Sequence, residues 1–175
     1  MLRRLERISV RELDKTRDSI ALYLASLRLA DEAYPGMLSA DGPMSQKDFM
    51  AAANMAARNL CMVFVVPGYS GDIAGSVCCE VVGHEDFLVS ALFCLPAYRG
   101  QRIGTLLLYN ALEFALECEC ARVHLDVADQ NHYARSWYGD LGFVSAGEPG
   151  DGYEALMLDG KSDIRNALSR LDDQL

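Results

Sequence analysis

The sequence predicts an α/β domain: a mixed sheet of about seven short strands flanked by helices, with an extra helix at the C-terminal end. Three observations carry that prediction. Short apolar or alternating runs recur between longer stretches of helical period. The 175 residues suit one domain with one substantial core, and no repeat, low-complexity tract or linker divides them. A composition of 51% hydrophobic and 23% charged residues excludes a disordered chain.

The elements follow in order. Residues 6–11 alternate apolar and polar and read as a first strand. Asp14 opens a helix to about Ala33, where Ile20, Leu22, Leu24, Leu27 and Leu29 supply a broad apolar face and Tyr34-Pro35-Gly36 stops it. Ser45 is the expected N-cap of a second helix, residues 46–59. Strands are expected at 61–66, 73–82 and 87–94, separated by Gly/Pro/Asp-rich reversals. A Leu/Ala-rich helix at 103–117, a strand at 122–128 and a helix at 131–141 ended by Gly142 come next. Residues 143–146 and 153–158 form a last hairpin, and Ile164, Leu168, Leu171 and Leu175 give residues 163–175 one apolar helical face.

Charge and cysteine usage narrow the class. Sixteen Lys and Arg against 25 Asp and Glu give a net charge of −9, which argues against general nucleic-acid binding and suits a cationic ligand. The N-terminal 17 residues are basic and residues 140–175 acidic. Mean hydropathy is +0.05, yet no apolar run approaches the ~18 residues of a membrane span. No signal-peptide core follows the basic start, so a cytoplasmic protein is expected. Cys61, Cys78, Cys79, Cys94, Cys118 and Cys120 form no C-x-x-C pair and have no His at ligand spacing. They read as reduced thiols, mostly core, and no metal site is expected.

The segment Leu92-Phe93-Cys94-Leu95-Pro96-Ala97-Tyr98-Arg99-Gly100-Gln101-Arg102-Ile103-Gly104-Thr105 runs from a buried strand through a turn into a helix. Such a corner aims free N–H groups and the positive helix end at one spot, as a pyrophosphate requires. It is neither a Walker A loop nor a Gly-x-Gly-x-x-Gly fingerprint. The second informative segment, 125–143, places Asn131, Ala134 and Tyr138 at helical spacing before Leu141-Gly142-Phe143.

Together the two segments resemble the acetyl-CoA site of the GNAT superfamily of N-acetyltransferases, with Arg99-x-x-Arg102-x-Gly104 standing for its Arg/Gln-x-x-Gly-x-Gly/Ala loop. Arg102 replaces the usual first Gly, which is tolerable if its backbone angles are ordinary. The element order from residue 6 to 158 is similar to the whole fold. The resemblance therefore implies a GNAT-like domain over residues 1–160, followed by a helix, 161–175, packed on the domain or at a dimer interface.

It also implies roles. Pantetheine slots between strands 87–94 and 122–128 and pairs with backbone around Leu92, Cys94 and Leu95. Pyrophosphate sits on residues 99–105 (Arg99, Gly100, Gln101, Arg102, Ile103, Gly104, Thr105), and Asn131 and Ala134 line the cofactor arm. An N–H near Leu92 stabilises the oxyanion of a tetrahedral intermediate formed by direct amine attack. Tyr138 is the general acid for the departing thiolate. An alkyl amine of pKa about 10.4 is ~0.04% neutral at pH 7, a handicap of roughly 4.6 kcal/mol, so a base is needed. Asp126 and Glu80 are the candidates. His124 and His132 are possible proton relays, with His132 expected to be solvated and His124 to face away from Asp126.

In this fold the acceptor cleft lies between the loop joining the first two helices and the last hairpin. Here that supplies Tyr34, Met37 and Tyr153 for apolar contact and Asp41, Glu148 and Asp151 as anions, suited to a small cationic amine. A protein N-terminus or lysine is the second acceptor class, and a non-catalytic acyl-CoA-binding domain the reading from another class.

Overall fold

The structure is a computed structural model, and it describes residues 6–9, 17–35, 38, 42–56, 60–69, 72–147, 150 and 152–175. Seven strands form one sheet: β1 (Glu6–Ser9), β2 (Leu60–Pro67), β3 (Ile73–Val82), β4 (Asp86–Cys94), β5 (Arg122–Ala128), β6 (Val144–Ser145) and β7 (Tyr153–Asp159). Their order is β1-β2-β3-β4-β5-β7-β6. Every pairing is antiparallel except β4 with β5. Five helices are described: α1 (Arg17–Ala33), α2 (Gln46–Ala56), α3 (Ile103–Glu117), α4 (His132–Leu141) and α5 (Lys161–Asp172).

Both faces of the sheet centre are covered, and period-2 alternation sorts the side chains between them. Val63 and Val65 of β2 pack with Leu27 and Ala30 of α1 and Phe49 of α2. Met62, Phe64 and Val66 point the other way into the main core, which holds Leu107, Leu112 and Phe114 of α3. The ring of Phe114 meets Phe64 and Phe87 edge-on at 6.2 and 5.7 Å, which pins α3 across β2 and β4. Each such fully buried side chain stabilises the fold by roughly 1.5–3 kcal/mol.

Local chemistry sets the element ends. Ser45 and Asp48 cap α2 reciprocally: the Asp48 carboxylate accepts from Ser45 N (2.9 Å) and Oγ (2.6 Å), and Ser45 Oγ accepts from Asp48 N (3.3 Å). Gly142, at φ 102°, closes α4 in the left-handed conformation, with Phe143 N–H on Tyr138 O at 3.0 Å. The last helix runs two residues earlier and ends three earlier than its sequence pattern suggests. Its apolar face, Ile164, Ala167 and Leu171, is buried in the main core. The expected 143–146 strand shortens to Val144–Ser145 against Leu156 and Met157 of β7.

One expectation of facing fails. His124 and Asp126 stand two apart on β5, and period 2 places them on one face, not on opposite faces. Val123, Leu125 and Val127 are the buried set, so Arg122, His124 and Asp126 share the other side. On that side Arg122 and His124 are half-buried and Asp126 is exposed.

Candidate active site

Strands β4 and β5 are paired over only three rungs, Asp86–Arg122, Phe87–Val123 and Leu88–His124. Beyond them the two strands run unpaired and line a cleft of about 960 Å³. Two features drive the split. At the closed end Asp86 holds Arg122 through two hydrogen bonds, 2.7 and 2.9 Å, and accepts from His124 Nε2 at 2.8 Å. Further along, Ser76 opposes Phe93 while Cys78 opposes Ser90, so Ala91 and Leu92 together face one residue, Val77. Ala91 adopts φ +50°, a left-handed angle costly for a residue with a Cβ. This bulge bends β4 away from β5. Gly75 makes room for it, since a Cβ there would lie 2.6 Å from Phe93 O and 2.9 Å from Ile103 Cγ2.

The cleft runs to the start of α3. A 3-10 turn, Pro96–Tyr98, leads through Gly100 at φ 72° to Arg102, the residue that caps α3. The helix ladder begins with Leu106 N–H on Arg102 O (3.0 Å), so the N–H groups of Ile103, Gly104 and Thr105 precede it. All three residues line the cleft, beside Arg99, Gly100 and Arg102. The amides and the helix dipole meet here beside the residues Arg99 and Arg102, a donor set that fits a pyrophosphate. Arg102 departs from expectation: at φ 59°, ψ 19° its backbone is left-handed, not ordinary. The turn demands the geometry that the family's Gly supplies freely, and the Cβ makes it cost about 1 kcal/mol. The Arg102 guanidinium donates to Leu175 O at 2.5 Å.

Tyr34, at the end of α1, joins the other rim. Its hydroxyl donates to Cys94 O (2.6 Å) and accepts from Arg99 Nη2 (2.6 Å), with the Arg99 guanidinium 5.3 Å from the ring centre. The contact holds the Arg99 pKa above its ordinary value. Tyr138 lies in the cleft wall on α4, 7% exposed, with its ring 5.5 Å from Phe143 and 5.2 Å from Trp137. Burial pushes its phenol well above the usual value, so it stays protonated through the physiological range. Asn131 caps α4 by accepting from Ala134 N (3.2 Å), and both residues line the cleft.

Of the residues singled out in the sequence, Leu92, Cys94, Asp126 and Tyr34 also line the cleft. Leu95 does not: its N–H is already bonded to Ala74 O at 2.9 Å. Gln101 faces outward and accepts from Tyr69 Oη at 3.2 Å. Glu80 is half-buried on β3, and Tyr153 is half-buried opposite Ala128, both outside the lining. Met37, Asp41, Glu148 and Asp151 lie outside the described residues. His132 is exposed. Cys78, Cys79 and Cys120 are buried, and Cys94 and Cys118 are half-buried.

Three contributors carried little sequence signal. Ala91 is the bulge residue, and alanine marks no turn. Asp86 acquires its role only once the parallel register sets it against Arg122 and His124. Trp137 donates to Gln174 Oε1 (3.2 Å), which brings the chain after α5 to the cleft edge.

The family model for "Acetyltransferase (GNAT) family" matches residues 27–143, the span that holds β4, β5 and the loop before α3. The chain belongs to the GNAT acetyltransferase family. Its GNAT relatives include streptothricin acetyltransferase of Streptomyces lavendulae, 26% identical over 154 residues, 87% of this chain and 78% of the relative. N-alpha-acetyltransferase MAK3 of Arabidopsis thaliana is 28% identical over 81 residues, 45% of this chain and 43% of that one. Among solved GNAT structures, spermidine N-acetyltransferase from Vibrio cholerae in complex with CoA and spermine superposes with a TM-score of 0.65 at 16% identity. That match covers 92% of this chain and 98% of the other and shows the shared fold. Among the described residues, no helix is long and apolar enough to cross a membrane.

Proposed function

We propose that this GNAT protein moves an acetyl group from acetyl-CoA to a primary amine of a small cationic acceptor. The single observation that carries the reading is the β4–β5 split, which opens onto the α3 amides with the Tyr138 phenol in its wall. Arg99, Arg102 and the amides of residues 103–105 hold the pyrophosphate. The unpaired strand edges flank the pantetheine arm as an added strand would. Leu92, left without a register partner by the bulge, turns its N–H toward the thioester carbonyl and stabilises the charge that develops there. Tyr138, kept neutral by burial, protonates the departing thiolate.

Asp126, exposed on the cleft's floor, takes up the amine proton in preference to Glu80, which the cleft lining does not include. The long likeness to a streptothricin acetyltransferase and the net charge of −9 favour a cationic small molecule. The likeness to an N-alpha-acetyltransferase spans under half of the chain and keeps a peptide N-terminus as the second acceptor class.

The test is thiol release from acetyl-CoA with a panel of streptothricin, spermidine, lysine and short peptides. Turnover confined to the cationic small molecules is the expected result. Turnover confined to peptides contradicts the acceptor class, and acetyl-CoA binding without any turnover contradicts the enzyme reading.

A further inference from the structure

Tyr34 stands one residue beyond α1, half-buried, and its N–H closes the helix on Ala30 O at 2.9 Å. The helix below it is fixed, because Leu27 and Ala30 are buried with Val63 and Val65 of β2. Its side chain is therefore carried by a rigid element. The sequence expects Tyr34 at the acceptor rim, yet both partners of its hydroxyl belong to the cofactor side. Cys94, whose O accepts at 2.6 Å, ends β4, and Arg99, whose Nη2 donates at 2.6 Å, follows the 3-10 turn.

One hydroxyl thus ties together both ends of the segment that leads from β4 into the loop before α3. Tyr34, Cys94 and Arg99 all line the cleft. Arg99 is exposed, and an exposed guanidinium on its long stem samples many rotamers in water. Here the hydroxyl holds one nitrogen while the ring centre lies 5.3 Å from the guanidinium carbon, which restricts that freedom. Tyr34 engages Nη2 alone. A planar fork held at one corner still presents its other N–H groups to phosphate oxygens.

We propose that Tyr34 is a positioning residue for the cofactor, its hydroxyl pre-orienting Arg99 toward the diphosphate of acetyl-CoA, an inference that rests on the function proposed above. The guanidinium is ordered before the ligand arrives, so less side-chain freedom is lost on binding. The diphosphate takes no part in bond making. The effect of Tyr34 therefore falls on affinity for the cofactor and not on turnover of the filled enzyme.

Tyr34→Phe keeps the ring beside the guanidinium and removes the hydroxyl. Calorimetric titration with acetyl-CoA, and steady-state rates with the fastest amine of the panel above, compare wild type, Tyr34→Phe, Arg99→Gln and the double variant. Tyr34→Phe is expected to weaken acetyl-CoA binding about tenfold and raise its KM to match, with kcat and the amine KM within about twofold. The two losses should not add: on the Arg99→Gln background, Tyr34→Phe should change affinity by less than about twofold. S-acetylpantetheine, a donor without the diphosphate, should serve wild type and Tyr34→Phe with equal kcat/KM. Unchanged acetyl-CoA affinity in Tyr34→Phe, losses that add, unequal use of S-acetylpantetheine, or a KM shift confined to the amine overturns the role of Tyr34 and leaves acetyl transfer standing. Wild type that binds acetyl-CoA and acetylates no amine overturns the proposed function, and the affinities alone then decide on Tyr34. Wild type that binds no acetyl-CoA overturns both.

Discussion

Asp86 and Arg122 are neighbours twice over: they form the first rung of the β4–β5 ladder, and their side chains close a two-pronged ion pair of 2.7 and 2.9 Å across it. Two rungs later the ladder ends and the cleft begins. The pair thus marks the fixed end of a split whose other end is free to admit a ligand.

That pair predicts an acid-dependent stability. The Arg122 guanidinium first, then His124, holds the Asp86 carboxyl well below the usual carboxylate range. A lowered native pKa contributes stability above the unfolded value of about 3.9 and loses it as pH falls through the native value. Thermal melts of Asp86→Ala and wild type should therefore differ most above pH 5 and converge progressively below pH 4. A gap that stays constant with pH contradicts the assignment.

Ala91 predicts a strain signature. At φ +50° a Cβ costs about 1–2 kcal/mol, and a β-branched side chain costs more. Ala91→Gly should raise or hold the unfolding free energy, whereas Ala91→Val should lower it by about 2 kcal/mol and weaken acetyl-CoA binding. Denaturant melts with calorimetry check both.

Much of this fold was legible. Seven strands, the central helices and the loop before α3 are written in hydrophobic period and turn residues, because packing on both faces demands those patterns. What escaped depends on register. The facing of Asp86 toward Arg122 and His124 comes from a parallel pairing that joins residues 36 and 38 positions apart. The β4 bulge sits on an alanine with no turn preference, and Tyr34 meets Arg99 across 65 positions. The left-handed Arg102 was half-legible: the family pattern marks the place as a glycine's, and the chain keeps the geometry while changing the residue.

Arg102→Gly separates those two properties. Removing the Cβ from a left-handed position should stabilise the protein by up to about 1 kcal/mol. Losing the guanidinium should weaken acetyl-CoA binding about tenfold and reduce its salt dependence. Melting temperature rising while affinity falls is the expected pattern, and equal affinity in both proteins contradicts a phosphate role for Arg102.

Tyr138→Phe keeps the ring contacts with Phe143 and Trp137 and removes the hydroxyl. Turnover should drop at least about 100-fold with acetyl-CoA affinity retained. Burial raises the native phenol pKa, so its stabilising contribution is full below the unfolded value of about 10 and declines as pH climbs above it. Wild type should lose stability above pH 10 more steeply than Tyr138→Phe. Matching alkaline slopes contradict the buried, neutral phenol.

The central claim is that the split between β4 and β5, with the α3 amides at its end, binds acetyl-CoA. Calorimetric titration of wild type and Gly104→Glu tests it most directly, because a Cβ at Gly104 meets nothing within 4 Å and the new carboxylate stands among the amides. The account predicts one acetyl-CoA bound per wild-type chain and at least a hundredfold weaker binding in the folded variant. Wild type that binds none, or a variant that binds as tightly as wild type, contradicts it.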